Sequence, residues 1–185
     1  MTADELARDA PAAHAGEMAS MASRTGGRVR LEHEPFLAQV SLRLDPSLAG
    51  RAPMPLPLEP NTAWDDGTRA ALWLGPDEWL VLGPPHAAGD LIAGLAGALE
   101  GLHHSIVDVS ANRVSIVLGG PDRLEVLASG CSLDLHPRSW RAGMCAQTMF
   151  AKAQVILQER GDTTRVLVRP SFVAYVIERL IADAA

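Results

Sequence analysis

Lysine is almost missing from this chain: of 16 basic side chains only Lys152 is a lysine, and the rest are arginines. Abundant Ala, Gly and Pro accompany the arginines, a pattern of coding bias that carries no functional weight. Cysteine is scarce too, and Cys131 and Cys145 are too few for a disulfide framework. The longest apolar stretch, Leu91 to Leu99, is broken by Gly94 and Gly97 and falls far short of the ~20 residues of a membrane-spanning helix. No dense basic run exists, and 22 acidic residues outnumber the bases to give a net charge of −6. Such a balance excludes a phosphate backbone as partner. The N-terminal residues lack the basic flank and apolar core of a secretory signal. A cytoplasmic protein with reduced thiols and no nucleic-acid or membrane partner is expected.

What is present is an ordinary globular composition, 48% apolar and 21% charged over 185 residues, enough for about one domain. Residues 1–30 are rich in Ala, Ser and Gly without a sustained period, so they read as a mobile N-terminal tail ahead of a domain spanning 31–185. From Phe36 to Leu44, Phe36, Ala38, Val40, Leu42 and Leu44 alternate with Leu37, Gln39, Ser41 and Arg43, a half-buried strand. Pro53, Pro55, Pro57 and Pro60 make the next stretch an extended loop. Ala70–Leu74 and Trp79–Leu82, linked by Gly75-Pro-Asp-Glu78, predict a β-hairpin. Leu91, Leu95, Leu99 and Leu102 form the stripe of a core-packed helix over 87–102.

Ile106–Val109 and Arg113–Leu118 are expected to pair as strands. Pro121 opens a helix over 122–129 that Gly130 is placed to close. Ala146–Phe150, Ala153–Gln158 and Arg165–Val168 are three further strands. Pro170-Ser171 then opens a helix with an apolar stripe of Phe172, Val173, Val176, Ile177 and Leu180. Several strands per helix and short links predict an α+β fold, one mixed or mostly antiparallel sheet with split β-α-β units.

Chemistry-bearing motifs are sparse. Gly119-Gly120-Pro121 lacks the spacing of a dinucleotide turn and the Lys-Ser/Thr of a phosphate loop, so it reads as a plain turn. Cys131, His136 and Cys145 lack metal-ligand spacing and read as buried thiols and an isolated imidazole. His103-His104 suits the negative end of the preceding helix. Asp108-Val-Ser110-Ala-Asn112 suits an Asx or Ser turn, and Ser110 has no neighbouring His to make a triad. Trp73 and Trp79, on the two arms of one hairpin, are the informative aromatics. Core burial is their default, but Trp beside Asp77 and Glu78 also fits a protein interface.

The stretch Leu72-Trp-Leu-Gly-Pro-Asp-Glu-Trp-Leu-Val-Leu82 resembles the signature of the gamma subunits of heterotetrameric sarcosine oxidase. Leu56-Pro-Leu-Glu-Pro-Asn61, Val107-Asp-Val-Ser110 with Arg113, Gly119-Gly-Pro-Asp-Arg-Leu124, Cys131-Ser-Leu-Asp-Leu135 and Arg169-Pro-Ser-Phe172 extend the resemblance over about Leu31 to Ala185. Asp108-Val-Ser110, Gly120-Pro-Asp122 and Asp134-Leu135 are also similar to the folate-binding domain of the glycine-cleavage T-protein, the aminomethyltransferase family. That family places a Gly-rich turn and paired aspartates where this chain reads Phe150-Ala-Lys-Ala-Gln-Val155, with no acid.

The resemblance therefore implies a T-protein-like scaffold without its folate chemistry. It implies an accessory subunit of a complex that oxidatively demethylates sarcosine to glycine and hydrogen peroxide, passing the one-carbon unit to tetrahydrofolate. By the same resemblance the beta subunit carries FAD and FMN, the alpha subunit NAD and the folate site, and the delta subunit zinc. This chain would hold no cofactor, no metal and no catalytic residue, packing mainly on alpha. Trp73, Asp77, Glu78 and Trp79 are the candidate subunit interface. A free-standing folate-dependent aminomethyltransferase or tRNA-modification relative is the rival reading, and it needs the carboxylate that is missing.

Overall fold

The computed structural model describes residues 11–34 and 36–184. It divides into two units, one of residues 1–35 and 111–185 and one of residues 36–110. Two five-stranded sheets replace the single expected one, and every strand pair within them is antiparallel.

The strands are β1 (Arg30–His33), β2 (Ala38–Leu44), β3 (Ala63–Asp65), β4 (Ala70–Gly75), β5 (Glu78–Gly83), β6 (His104–Asp108), β7 (Val114–Gly119), β8 (Cys145–Phe150), β9 (Ala153–Glu159) and β10 (Thr163–Val168). The helices are α1 (Ala15–Arg24), α2 (Ala88–Ala98), α3 (Arg123–Ala128) and α4 (Val173–Asp183). Residues 36–110 form the sheet β3-β4-β5-β2-β6. Because β5 and β6 flank β2 and are joined through α2, they make the expected split β-α-β unit. Leu91, Leu95 and Leu99, at the helical spacing read from the sequence, bury against Val40, Leu42, Trp79 and Val81. Gly83 lets α2 approach, since a Cβ there would lie 2.7 Å from Leu91 Cδ1. The proline-rich stretch is a loop, as its missing donors require, but Met54 and Leu56 within it are buried in the same core.

The remaining residues form the sheet β1-β7-β10-β9-β8. Its strands alternate, so Val114, Ile116 and Leu118 share one face with Val166, Val168, Val155 and Leu157, all buried. Val173, Val176, Ile177 and Leu180 of α4 are buried as well. The next residue of the expected stripe, Phe172, is instead 39% exposed, because a 3-10 turn over Pro170–Phe172 precedes the helix and turns it off the apolar face.

Three expectations are corrected here. Residues 1–10 of the supposed tail lie outside the described residues, but Ala15–Arg24 is a helix with Met18 and Met21 buried. Its C-terminus is closed by Gly26 and Gly27 at positive φ, and Gly27 N–H donates to Ala22 O at 2.6 Å. A composition poor in large apolar residues hid a helix that needs only two methionines to dock. Second, β6 and β7 do not pair: β6 joins β2 and β7 joins β1 and β10. Between them the 3-10 turn Ser110–Asn112 carries the chain from one unit to the other. Third, Gly130 does not close α3 through a left-handed φ. Its lack of a side chain makes room for the Phe150 ring, which a Cβ would meet at 2.7 Å.

Candidate functional site

The β4–β5 hairpin sets Trp73 directly across from Trp79, so both rings project from one face. Their fates differ by position. Trp79 also has Leu42 of β2 on its other side and is 0% exposed, and its indole Nε1 donates to Pro57 O at 2.7 Å. Trp73, nearer the sheet's edge, is half-buried. Trp79 is thus a core residue and not an interface residue, because a central strand neighbour and the proline loop enclose it. Asp77 and Glu78 are already engaged: Arg43 Nη2 reaches Asp77 Oδ2 at 2.9 Å and Arg43 Nη1 reaches Glu78 Oε2 at 3.0 Å. The tip is therefore a locally paired cluster with Trp73 beside it, not an acidic patch.

Asp108 and Ser110 form a local turn, as their spacing suggests. Ser110 N–H donates to Asp108 Oδ1 at 2.9 Å and Ser110 Oγ donates to the same oxygen at 2.6 Å. Ser110 Oγ in turn accepts from Gln39 N–H at 3.0 Å. This hydroxyl anchors the end of β6 to β2. His104 is a strand residue opposite Leu44 with Nδ1 2.9 Å from Leu102 O, so it does not cap α2, which ends at Ala98 before Gly101 turns the chain at φ 75°.

Cys131 and Cys145 are buried free thiols, with Cys131 Sγ 3.7 Å from Thr148 Oγ1. Among the described residues no three His, Cys, Asp or Glu side chains gather as a metal set. At Gly120, with φ 99°, a Cβ would lie 2.2 Å from Arg28 O. That carbonyl accepts from Asp122 N–H, and the Arg28 guanidinium forks onto the Asp122 carboxylate. The Gly-Gly-Pro step is a backbone latch for the segment after α1.

Two acid clusters, one around half-buried Glu34 and one around buried Glu159, were not anticipated. Glu34 accepts a bidentate pair from Arg165, Nε and Nη2 each at 2.6 Å, a bond from Ser115 Oγ, and Arg160 Nη1 at 3.3 Å. Burial opposes its charge, but the Arg165 fork, Ser115 and Arg160 together hold the carboxyl below the usual range. Glu159, 2% exposed, accepts from Arg123 at 2.7 Å, Trp140 Nε1 at 3.1 Å, Thr164 Oγ1 at 2.6 Å and Gly161 N–H at 3.0 Å. Both carboxylates are surrounded by donors, which is what charge withdrawn from water requires. Apart from Gly161 and Thr164, which lie close to Glu159, their partners are distant in sequence, from Trp140, 19 residues before Glu159, to Arg165, 131 residues after Glu34.

The β8–β9 connection is a tight hairpin, Phe150 pairing with Ala153 across Ala151 at φ 49° and Lys152. It has no room for a Gly-rich loop and presents no carboxylate. Beside it lies an open cavity of about 360 Å³ with Arg113, Arg169, Gln147 and Gln154 in its lining and no acid among the lining residues. General acid–base work by a carboxylate has no candidate there.

These features define an α+β scaffold of antiparallel sheets whose buried polar groups serve structure. The same fold occurs in the glycine cleavage system aminomethyltransferase T from Bartonella henselae, with a TM-score of 0.65, 13% identity, and coverage of 85% of this chain and 46% of that one. A nearer likeness is a chain of the heterotetrameric sarcosine oxidase from Corynebacterium sp. U-96 in complex with pyrrole 2-carboxylate. There the TM-score is 0.83 and the identity 32%, covering 95% of this chain and 93% of that one. The sarcosine oxidase subunit gamma of Corynebacterium sp. (strain P-1) is 35% identical over 183 residues, 94% of this chain and 88% of that protein. The Arthrobacter sp. subunit gamma is 35% identical over 184 residues, with the same coverage. Residues 45–185 match the model of the sarcosine oxidase, gamma subunit family. The chain belongs to that family.

Proposed function

We propose that this chain is the non-catalytic accessory subunit of a cytoplasmic heterotetrameric sarcosine oxidase, held together with alpha, beta and delta subunits and packed mainly on alpha. The complex oxidatively demethylates sarcosine to glycine and hydrogen peroxide and passes the one-carbon unit to tetrahydrofolate. FAD, FMN, NAD, zinc and the folate site belong to the partner subunits. The observation that carries this reading is the match along nearly the whole chain, 95% at a TM-score of 0.83, to a chain of a heterotetrameric sarcosine oxidase. It is supported by the acid-free β8–β9 hairpin, and by carboxylates elsewhere that are consumed in structural bonds.

Within that assembly the tip of the β4–β5 hairpin, Trp73 with the Arg43-Asp77-Glu78 cluster, is part of the contact with alpha. Half-buried Trp is enriched among residues that dominate binding, and a charge cluster paired within its own subunit is cheaper to desolvate than bare acids. Co-expression with tagged alpha, beta and delta subunits tests the proposal. The four chains are expected to co-purify, with flavin absorbance and sarcosine-dependent hydrogen peroxide production. Omitting this chain is expected to reduce assembly. Failure of the tagged subunits to capture it would refute the reading.

A further inference from the structure

We propose that the open edge of β6 is a pairing surface for a second copy of this chain, joined antiparallel about a two-fold axis at Ile106. β6 ends the sheet β3-β4-β5-β2-β6, and its one strand partner is β2. The register decides which backbone groups it leaves over. Val109 N–H donates to Gln39 O at 2.8 Å, the position that continues the pairing of Asp108 with Val40. Backbone bonding alternates along an antiparallel pair, so Ser105 and Val107 bond β2, while His104, Ile106 and Asp108 turn their N–H and C=O groups outward. Among the described residues no backbone group bonds that side.

Proteins blunt bare edges with shortness, lysine, proline, bulges, charge or a covering segment, and the other edges of the two sheets are blunted. β3 is three residues long, β1 carries Arg30 and Glu32, both exposed, and β8 is met at its end by Cys131 and by the Ala151 N–H bond to Gly130 O. β6 has five residues, His-Ser-Ile-Val-Asp, an unbroken register with β2 and no lysine, arginine or proline. Val107, 50% exposed on one flank, adds an apolar contact. On the other flank α2 packs over Val40 and Leu42 of β2 and Trp79 and Val81 of β5, away from the edge.

The strand is complementary to itself. With Ile106 across from Ile106 of the other copy, His104 falls across from Asp108 and Asp108 across from His104. Each of these pairs exchanges both its backbone bonds, and an imidazole meets a carboxylate on either side of the axis. Both Ser110 bonds to Asp108 use Oδ1, which leaves Oδ2 for the pair, and His104 Nδ1 is held at Leu102 O, which leaves Nε2. Any other two-fold register loses both His104–Asp108 pairs. Isologous pairing through this edge closes at a dimer. The proposal does not depend on the sarcosine oxidase reading.

Sedimentation velocity and amide-resolved hydrogen exchange on the full chain, over about 10 µM to 1 mM, test it. A five-residue edge buries less than a standard interface, so a weak dimer is expected within that range. Its formation should slow exchange at His104, Ile106 and Asp108 but not at Ser105 and Val107, whose amides already bond β2. His104→Glu and Asp108→Lys each place like charges opposite one another and are expected to weaken dimerisation about tenfold. An equimolar mixture of the two variants restores opposite charges at both pairs and is expected to associate at least as well as the parent. Circular dichroism checks that each variant is folded, and Val107→Lys, which leaves the Asp108–Ser110 turn intact, is expected to weaken pairing as well. A chain that stays monomeric throughout the range, a dimer in which the Ile106 amide stays unprotected, or a mixture no better than its separate variants would overturn the assignment. So would protection of the Ile106 amide only after co-expression with the other subunits, which would mark the edge as a seat for a partner's strand.

Discussion

Replacing Trp79 by alanine is the sharpest perturbation of the 36–110 core. The side chain is 0% exposed, lies between Leu42 and Trp73 in the sheet, and closes a hydrogen bond to Pro57 O at 2.7 Å. A buried Trp removes ~150–250 Å² from water, which at ~25 cal/mol per Å² amounts to about 4–6 kcal/mol, in line with the ~3–5 kcal/mol of Phe or Trp truncations. Orphaning the Pro57 carbonyl adds about 1 kcal/mol or more. Trp79→Phe keeps most of the volume and loses the bond, so about 1–3 kcal/mol is expected from it. Trp73→Ala, at a half-buried position, is expected to cost less than half of what Trp79→Ala costs. Urea unfolding followed by far-UV circular dichroism on the full chain reads all three. At ~2–4 °C per kcal/mol for a chain of this size, Trp79→Ala should lower Tm by roughly 10 °C or more. A Trp79→Ala chain as stable as the parent, or a Trp73→Ala chain that is equally damaged, would refute this account of the core.

Glycine substitutions should separate by the space around them. Gly120→Ala must place a methyl 2.2 Å from Arg28 O at φ 99°, so a loss of about 2 kcal/mol or more is expected in urea unfolding. Gly94→Ala in α2 meets nothing within 4 Å and is expected to stabilise by about 1 kcal/mol; the reverse order would contradict the backbone described. Glu34 sets an acid-side dependence. Its folded carboxyl sits below the ordinary range, so its contribution is complete above the unfolded pKa of about 4.3 and is lost as pH falls through the folded value. His33, whose imidazole burial pushes down against the pull of Glu34, adds to the loss on acidification, beginning nearer pH 6.5. Urea midpoints measured from pH 7 to 3 should therefore fall less steeply below pH 5 in Glu34→Gln than in the parent, and equal slopes would exclude the Glu34–Arg165 pair as the cause.

Local pattern alone determined the α+β class, the β4–β5 hairpin, the strand runs of β8 and β9, and the leucine stripe of α2, because periods of 2 and 3.6 and turn residues act over a few positions. The Asp108-Ser110 turn was equally local, a side chain bonding its own backbone two residues on. Family motifs such as Leu72–Leu82 carried the kinship, since a contiguous string is readable without coordinates. Tertiary structure decided what depends on distant partners. Whether Trp73 or Trp79 is covered turns on Leu42 and Pro57, which lie 37 and 22 residues before Trp79 in the chain. Splitting the strands into two sheets hinged on Ser110–Asn112, where the chain leaves one unit for the other. Arg165 meets Glu34 across 131 residues, and Val168 pairs with Val114 only because β7 and β10 are neighbours. Sequence separation conceals such pairs because strand order in an antiparallel sheet is set by which apolar faces can bury together, a property of the whole fold and not of any segment.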